Sequence, residues 1–168
     1  MTVTRLERER PKVGNPLETV EGIATSHDWM FDRMSEDELA IEVSGRWCDF
    51  RMQFSWRRDL QALHFTCAFD MRVPPPKRRD VHDLLALTNE RLAVGHFDLW
   101  SEEGLPMYRH TSLMRGAGRA SVEQLEDLMD IAISECERFY PAFQFVIWGG
   151  KTASEAIATS LLDTLGEA

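Results

Sequence analysis

Gly149-Gly150-Lys151-Thr152 has the composition of the end of a phosphate-binding loop. Such a loop has the pattern G-x-x-x-x-G-K-S/T, in which backbone N–H groups cradle phosphate oxygens. Phe145 stands where the first glycine is required, and the residues before it have helical rather than strand spacing. The stretch therefore reads as a helix–Gly-Gly–helix turn with Thr152 capping the second helix. His27, His64, His82, His96 and His110 form neither H-E-x-x-H nor a clustered Cys/His set. His96 and Asp98 share one strand face, with Glu102 and Glu103 just beyond, so a few metal ligands could converge there. A solvated strand face explains the same spacing, and no metal or cofactor is expected. G-x-S-x-G is absent. Acidic pairs such as Glu102-Glu103, Asp127 with Asp130 and Glu135 with Glu137 leave carboxylate acid–base catalysis as the one enzymatic chemistry the composition favours. In so acidic a chain such pairs are ordinarily solvated surface.

The tryptophans stand out more. Trp29, Trp47, Trp56, Trp100 and Trp148 fall in one short chain. Most must pack in a core, because each ring buries a large apolar area. Trp47 and Trp100 sit at expected strand boundaries beside acidic residues, Asp49 for one and Asp98 and Glu102 for the other. They are the candidate partner-binding residues, since Trp is enriched at interfaces.

The elements that position these residues follow from periodicity. From Trp47 to Val73 the apolar residues alternate with polar ones, Phe50, Met52, Phe54 and Trp56, then Leu63, Phe65, Cys67, Phe69, Met71 and Val73. Period-two alternation on both sides of Arg57-Arg58-Asp59 predicts two long antiparallel strands with one apolar and one wet face. Leu39, Ile41 and Val43 predict a strand before them, and Trp29–Met34 a short one earlier still. Pro74-Pro75-Pro76 ends the run, because no proline can donate to a ladder. Gly95–Ser101 and Leu105–Met114 predict two more strands.

Helices are expected at Leu17–Asp28, with Asn15 as cap, Pro16 at the first position and Glu18 as the capping-box acid. Others are expected over Lys77–Ala93, from Ser121-x-x-Gln124 onward with a kink or break near Phe139 caused by Pro141, and after the Thr152–Glu155 capping box. Residues 1–14 read as a disordered charged tail, and 15–168 as a single domain. The resulting class is α+β: an antiparallel sheet of about five to six strands with helices packed on it, in the order α, three or four β, α, two β, α, α.

Bulk numbers narrow the function. A net charge of −9, from 28 acidic and 19 basic residues, repels phosphates and acidic membrane surfaces, so neither nucleic acid nor membrane is the expected partner. Cys48, Cys67 and Cys136 are odd in number and widely spaced, as in reduced cytoplasmic proteins. Residues 1–14 are charged with no apolar run after them, so no secretory signal is expected, and no apolar run in the sequence is long enough to span a bilayer.

Asn15-Pro16-Leu17-Glu18, Gly45-Arg46-Trp47-Cys48-Asp49, Gly95-His96-Phe97-Asp98-Leu99-Trp100 and Glu137-Arg138-Phe139-Tyr140-Pro141-Ala142-Phe143 together resemble the YbjN family, described as bacterial sensory transduction regulators. The resemblance spans Asn15 to Leu165. It implies a fold similar to type III secretion chaperones, a curved antiparallel sheet with helices against it, often dimeric. It supplies no catalytic residues. The expectation is a non-enzymatic, cytoplasmic regulator or chaperone-like module that binds a protein or peptide and forms a homodimer. Its rivals are a small enzyme using surface carboxylates and a purely structural homo-oligomer. The crowding of Phe139, Tyr140, Phe143, Phe145, Val146, Ile147 and Trp148 suggests a dimer, because one helix face cannot bury them all. A turn at Pro141 could also bury the set within the chain, and it is the resemblance that favours the dimer.

Overall fold

The computed structural model describes residues 14–165, and side chains as far as residue 162. The tail read over residues 1–14 thus lies, apart from Gly14, outside the described residues, as does the side chain of Leu165. Six strands form one antiparallel sheet: β1 (Met30–Ser35), β2 (Glu38–Ser44), β3 (Asp49–Arg57), β4 (Ala62–Ala68), β5 (His96–Trp100) and β6 (Leu105–Leu113), in the order β1-β2-β3-β4-β6-β5. The helices are α1 (Leu17–Ser26), α2 (Arg78–Asn89), α3 (Val122–Ile147) and α4 (Ala153–Leu165). The α+β class and the element order are those the periodicity predicts.

The alternation decides which face is covered. Leu39, Ile41, Phe50, Met52, Phe54, Leu63, Phe65, Cys67, Phe97 and Tyr108 join the helix residues Leu17, Val20, Val81, Leu84, Leu125, Met129, Phe139 and Phe143 in one core. Phe54 lies opposite Phe65 across β3 and β4, with ring centroids 4.8 Å apart, a spacing at which aromatic pairs attract. A turn at residues 58–61 joins these strands, with Gln61 in the left-handed region at φ 48°.

Several boundaries differ from expectation. The second long strand ends at Ala68 rather than Val73. Phe69, Met71 and Val73 remain buried, but the ladder gives way to isolated bonds, Phe69 N–H to Pro106 O at 3.1 Å and Val73 N–H to Gly104 O at 2.7 Å. The helix after the prolines opens with a short 3-10 turn at Pro75–Lys77 and stops at Asn89, short of Ala93. Val122, the first residue of α3, is 46% exposed. Pro16, expected at the first helical position, is instead the N-cap of α1, and Asn15 stands one residue before it with its Oδ1 accepting the Leu17 N–H at 3.0 Å. Glu18, however, pairs with Arg119 at 3.2 Å.

Of the kink or break expected near Phe139, the break does not occur. α3 runs through Pro141 as one 26-residue helix. An interior proline costs about 3 kcal/mol. Phe139, Tyr140, Ala142 and Phe143 around it are all buried, and each large ring contributes about 1.5–3 kcal/mol of burial that a broken helix would forfeit. Packing therefore outweighs the proline. The same burial places most of the late aromatic run inside the chain's own core; Trp148 is its exposed member.

Candidate functional site

The helices cover one face of the sheet, and the other carries a groove of about 890 Å³. Its lining comes from all six strands and the turns between them, and from no helix. Register explains the depression. Across the sheet run Glu42, Arg51, Ala68, Met107 and Asp98; then Ala40, Gln53, Thr66, Arg109 and His96; then Glu38, Ser55, His64 and Thr111. Small and medium side chains occupy the central positions, so the floor is low where Ser55, Thr66 and Ala68 meet. Met34 and Trp100 rise at the margins.

The floor is polar. His64 Nδ1 lies 2.8 Å from Thr111 Oγ1. Partial burial, then the positive charges of Arg109, Arg57 and His96, push the His64 pKa below its ordinary value, which favours the neutral ring. At the β5–β6 end Asp98 holds Arg109 at 2.6 Å. Partial burial raises the Asp98 carboxyl, but the bonds from Arg109 and the Leu99 N–H outweigh it and leave the pKa lowered. Charge around the groove is lopsided. Glu38, Glu42, Asp49, Asp70 and Glu103 line it against Arg51 and Arg72. Arg72 is already engaged by Glu103, at 3.4 Å.

Of the two tryptophans read as partner-binding, Trp100 is 49% exposed and lines the groove. Trp47 is 43% exposed in the β2–β3 turn, outside the lining. The guanidinium of Arg46 lies 4.8 Å from its ring centroid, and the Arg46 N–H donates to Glu137 Oε1 of α3 at 2.7 Å. The groove does not bring the two together. His96 and Asp98 do share a face, where Asp98 is taken by Arg109. Among the described residues no group of three or more His, Cys, Asp and Glu side chains is arranged to hold a metal ion.

The Gly149–Thr152 stretch is a helix connection. Gly150 turns at φ 67°. Lys151 donates to Thr159 Oγ1 at 3.0 Å and lies over the Phe145 ring. Thr152 and Glu155 complete a reciprocal capping box. The groove floor itself, Gln53, Ser55, Thr66 and Ala68, escapes sequence reading. Its only signal is the run of small and polar residues on the wet face of the central strands.

A family model matches residues 16–145, under the description "putative bacterial sensory transduction regulator". The chain belongs to the YbjN family. A solved YbjN-family structure shares its fold: the crystal structure of YbjN from E. coli, described as a putative transcription regulator, aligns with a TM-score of 0.50 at 13% identity. The alignment covers 78% of this chain and 87% of that one. No curated protein matches the chain. Among the described residues, no helix of this YbjN-family protein is long and apolar enough to cross a membrane.

Proposed function

We propose that this protein is a non-enzymatic, chaperone-like regulatory module that binds a protein or peptide segment in the groove on the helix-free face of its sheet. The observation that carries this reading is the groove itself. It is large enough to take a row of partner side chains, it offers hydrogen-bonding groups along its floor, and it draws on every strand, so the whole sheet holds it rigid. The fold-level analogy to type III secretion chaperones supports the reading without deciding it.

The module works in the cytoplasm as a homodimer. Three unpaired cysteines, two of them buried, suit a reducing compartment. β1 is an edge strand with Met30 78% exposed and Phe31 and Met34 also open to solvent. Among the described residues nothing pairs with the outer side of β1; an open edge carrying apolar side chains invites a second strand, and a two-fold pairing of β1 with its copy would cover it. Light scattering should give about twice the 19.3 kDa of one chain; a mass near 19.3 kDa at high concentration removes the dimer from the reading.

The test of the groove is affinity capture with matched variants. Thr66→Arg fills the floor, and Asp127→Arg places the same side chain on the exposed side of α3 with a larger change of charge. The partner should be lost from Thr66→Arg and retained by Asp127→Arg, with both variants folded by circular dichroism. Retention by both would move the binding site off the groove.

A further inference from the structure

The groove's chemistry specifies its occupant more closely, on the reading that it binds a polypeptide. We infer that the partner segment is basic and amphipathic.

Charge is the first argument. Among the described residues no ion pair engages Glu38, Glu42, Asp49 or Asp70. Arg51 lies opposite Glu42 in the register, and Arg72 is held by Glu103. The surplus is therefore negative at the floor's edges, and the net charge of −9 extends the same sign over the molecule. A concave surface on which carboxylates outnumber cations, here Glu38, Glu42, Asp49, Asp70 and Glu103 against Arg51 and Arg72, biases the field on its occupant toward positive charge. An acidic segment or a phosphate backbone would meet repulsion along its length, whereas lysine and arginine side chains would find carboxylates at both ends of the floor.

The apolar residues supply the second argument. Met34 stands at the β1 margin, Met107 lies on the floor, and Leu105 and Trp100 stand at the β5–β6 margin. Methionine is flexible and polarisable and fits varied apolar shapes. Trp100 offers a wide face for a side chain to pack on, and the same face attracts cations. Apolar groups of the partner thus settle onto Met34 and Trp100, the exposed members of the set, while its cations reach Glu38, Glu42 and Asp49. Gln53, Ser55 and Thr66 between them accept and donate to the partner's polar groups.

Three labelled synthetic peptides test this by fluorescence anisotropy. One is basic and amphipathic, one has the same apolar pattern with glutamate replacing lysine, and one is basic without apolar residues. The first should bind and the others should bind at least about tenfold more weakly. Its affinity should fall at least about tenfold between about 0.05 M and about 0.3 M salt, as screening shortens the reach of the carboxylates. Glu38→Gln combined with Glu42→Gln should weaken it similarly, whereas Asp127→Asn combined with Glu123→Gln, the same charge loss on α3, should not. Equal binding of the acidic peptide, equal binding of the non-amphipathic one, or indifference to the groove substitutions overturns the inference. If none of the peptides binds while a captured partner remains sensitive to Thr66→Arg, the charge inference fails and the peptide-binding reading stands. If capture is also insensitive to Thr66→Arg, both fail.

Discussion

Phe65 and His64 are neighbours in β4 that point to opposite faces, so a pair of alanine substitutions measures what each face contributes. Phe65 is fully buried, with the Phe54 ring 4.8 Å away and Tyr108 at 6.4 Å. Truncation loses about 2 kcal/mol of transfer free energy. The cavity left in a packed aromatic cluster adds about 2 kcal/mol more, giving about 4 kcal/mol, inside the range for Phe→Ala in cores. With a urea m-value of about 2 kcal/mol/M, the denaturation midpoint should fall by about 2 M. His64→Ala removes one hydrogen bond to Thr111 from a half-exposed ring. That costs about 1 kcal/mol or less, a midpoint shift of about 0.5 M at most. Equilibrium urea unfolding of both variants checks the pair. Equal shifts, or a larger one for His64→Ala, would refute the assignment of core and groove faces.

Three further outcomes follow from the geometry. His64 and His110 both titrate below their ordinary value because burial disfavours the charged ring; the unfolded chain then binds more protons, so stability should hold above about pH 6.5 and decline as pH falls through the folded-state values, and His64→Gln with His110→Gln should flatten that decline in urea midpoints measured across pH. Gly95 sits at φ 68° with the Tyr108 ring against the space a Cβ would take, so Gly95→Ala should lower stability by about 2 kcal/mol or more and disturb the Tyr108 hydroxyl bond to Val94 O, seen as loss of near-ultraviolet signal. Cys67 and Cys136 are buried, and burial pushes the Cys136 thiol well up, so a thiol reagent should label at most Cys48 in the native protein and all three cysteines in denaturant.

The sheet was legible because β3 and β4 keep strict alternation, and a one-residue error would have put Phe54 and Phe65 in water. The capping boxes at Ser121 and Thr152 were legible because each is a local pattern of a few residues. What failed was what depends on packing. Phe69, Met71 and Val73 continue the alternation and stay buried, yet their bonds go singly to Pro106 and Gly104, and no pattern in the segment itself reveals that. Pro141 reads as a kink or a break because its neighbours' burial is a tertiary fact. The groove was hidden for a related reason. Ala40, Ala62, Ala68 and Met107 sit at wet-face positions yet are buried. Alternation names a face and says nothing of its shape. Trp100 was singled out by its boundary position and lines the groove; Trp47 met the same criterion and lies outside it.

The central claim is that a partner segment lies on the helix-free face. Backbone amide chemical shifts of the isotope-labelled protein, recorded with and without the basic amphipathic peptide, test it directly. The account predicts perturbations at Gln53, Ser55, His64, Thr66, Met107 and Trp100, with α3 and α4 unmoved. Perturbations concentrated on α3 and α4, with those groove residues silent, would contradict it.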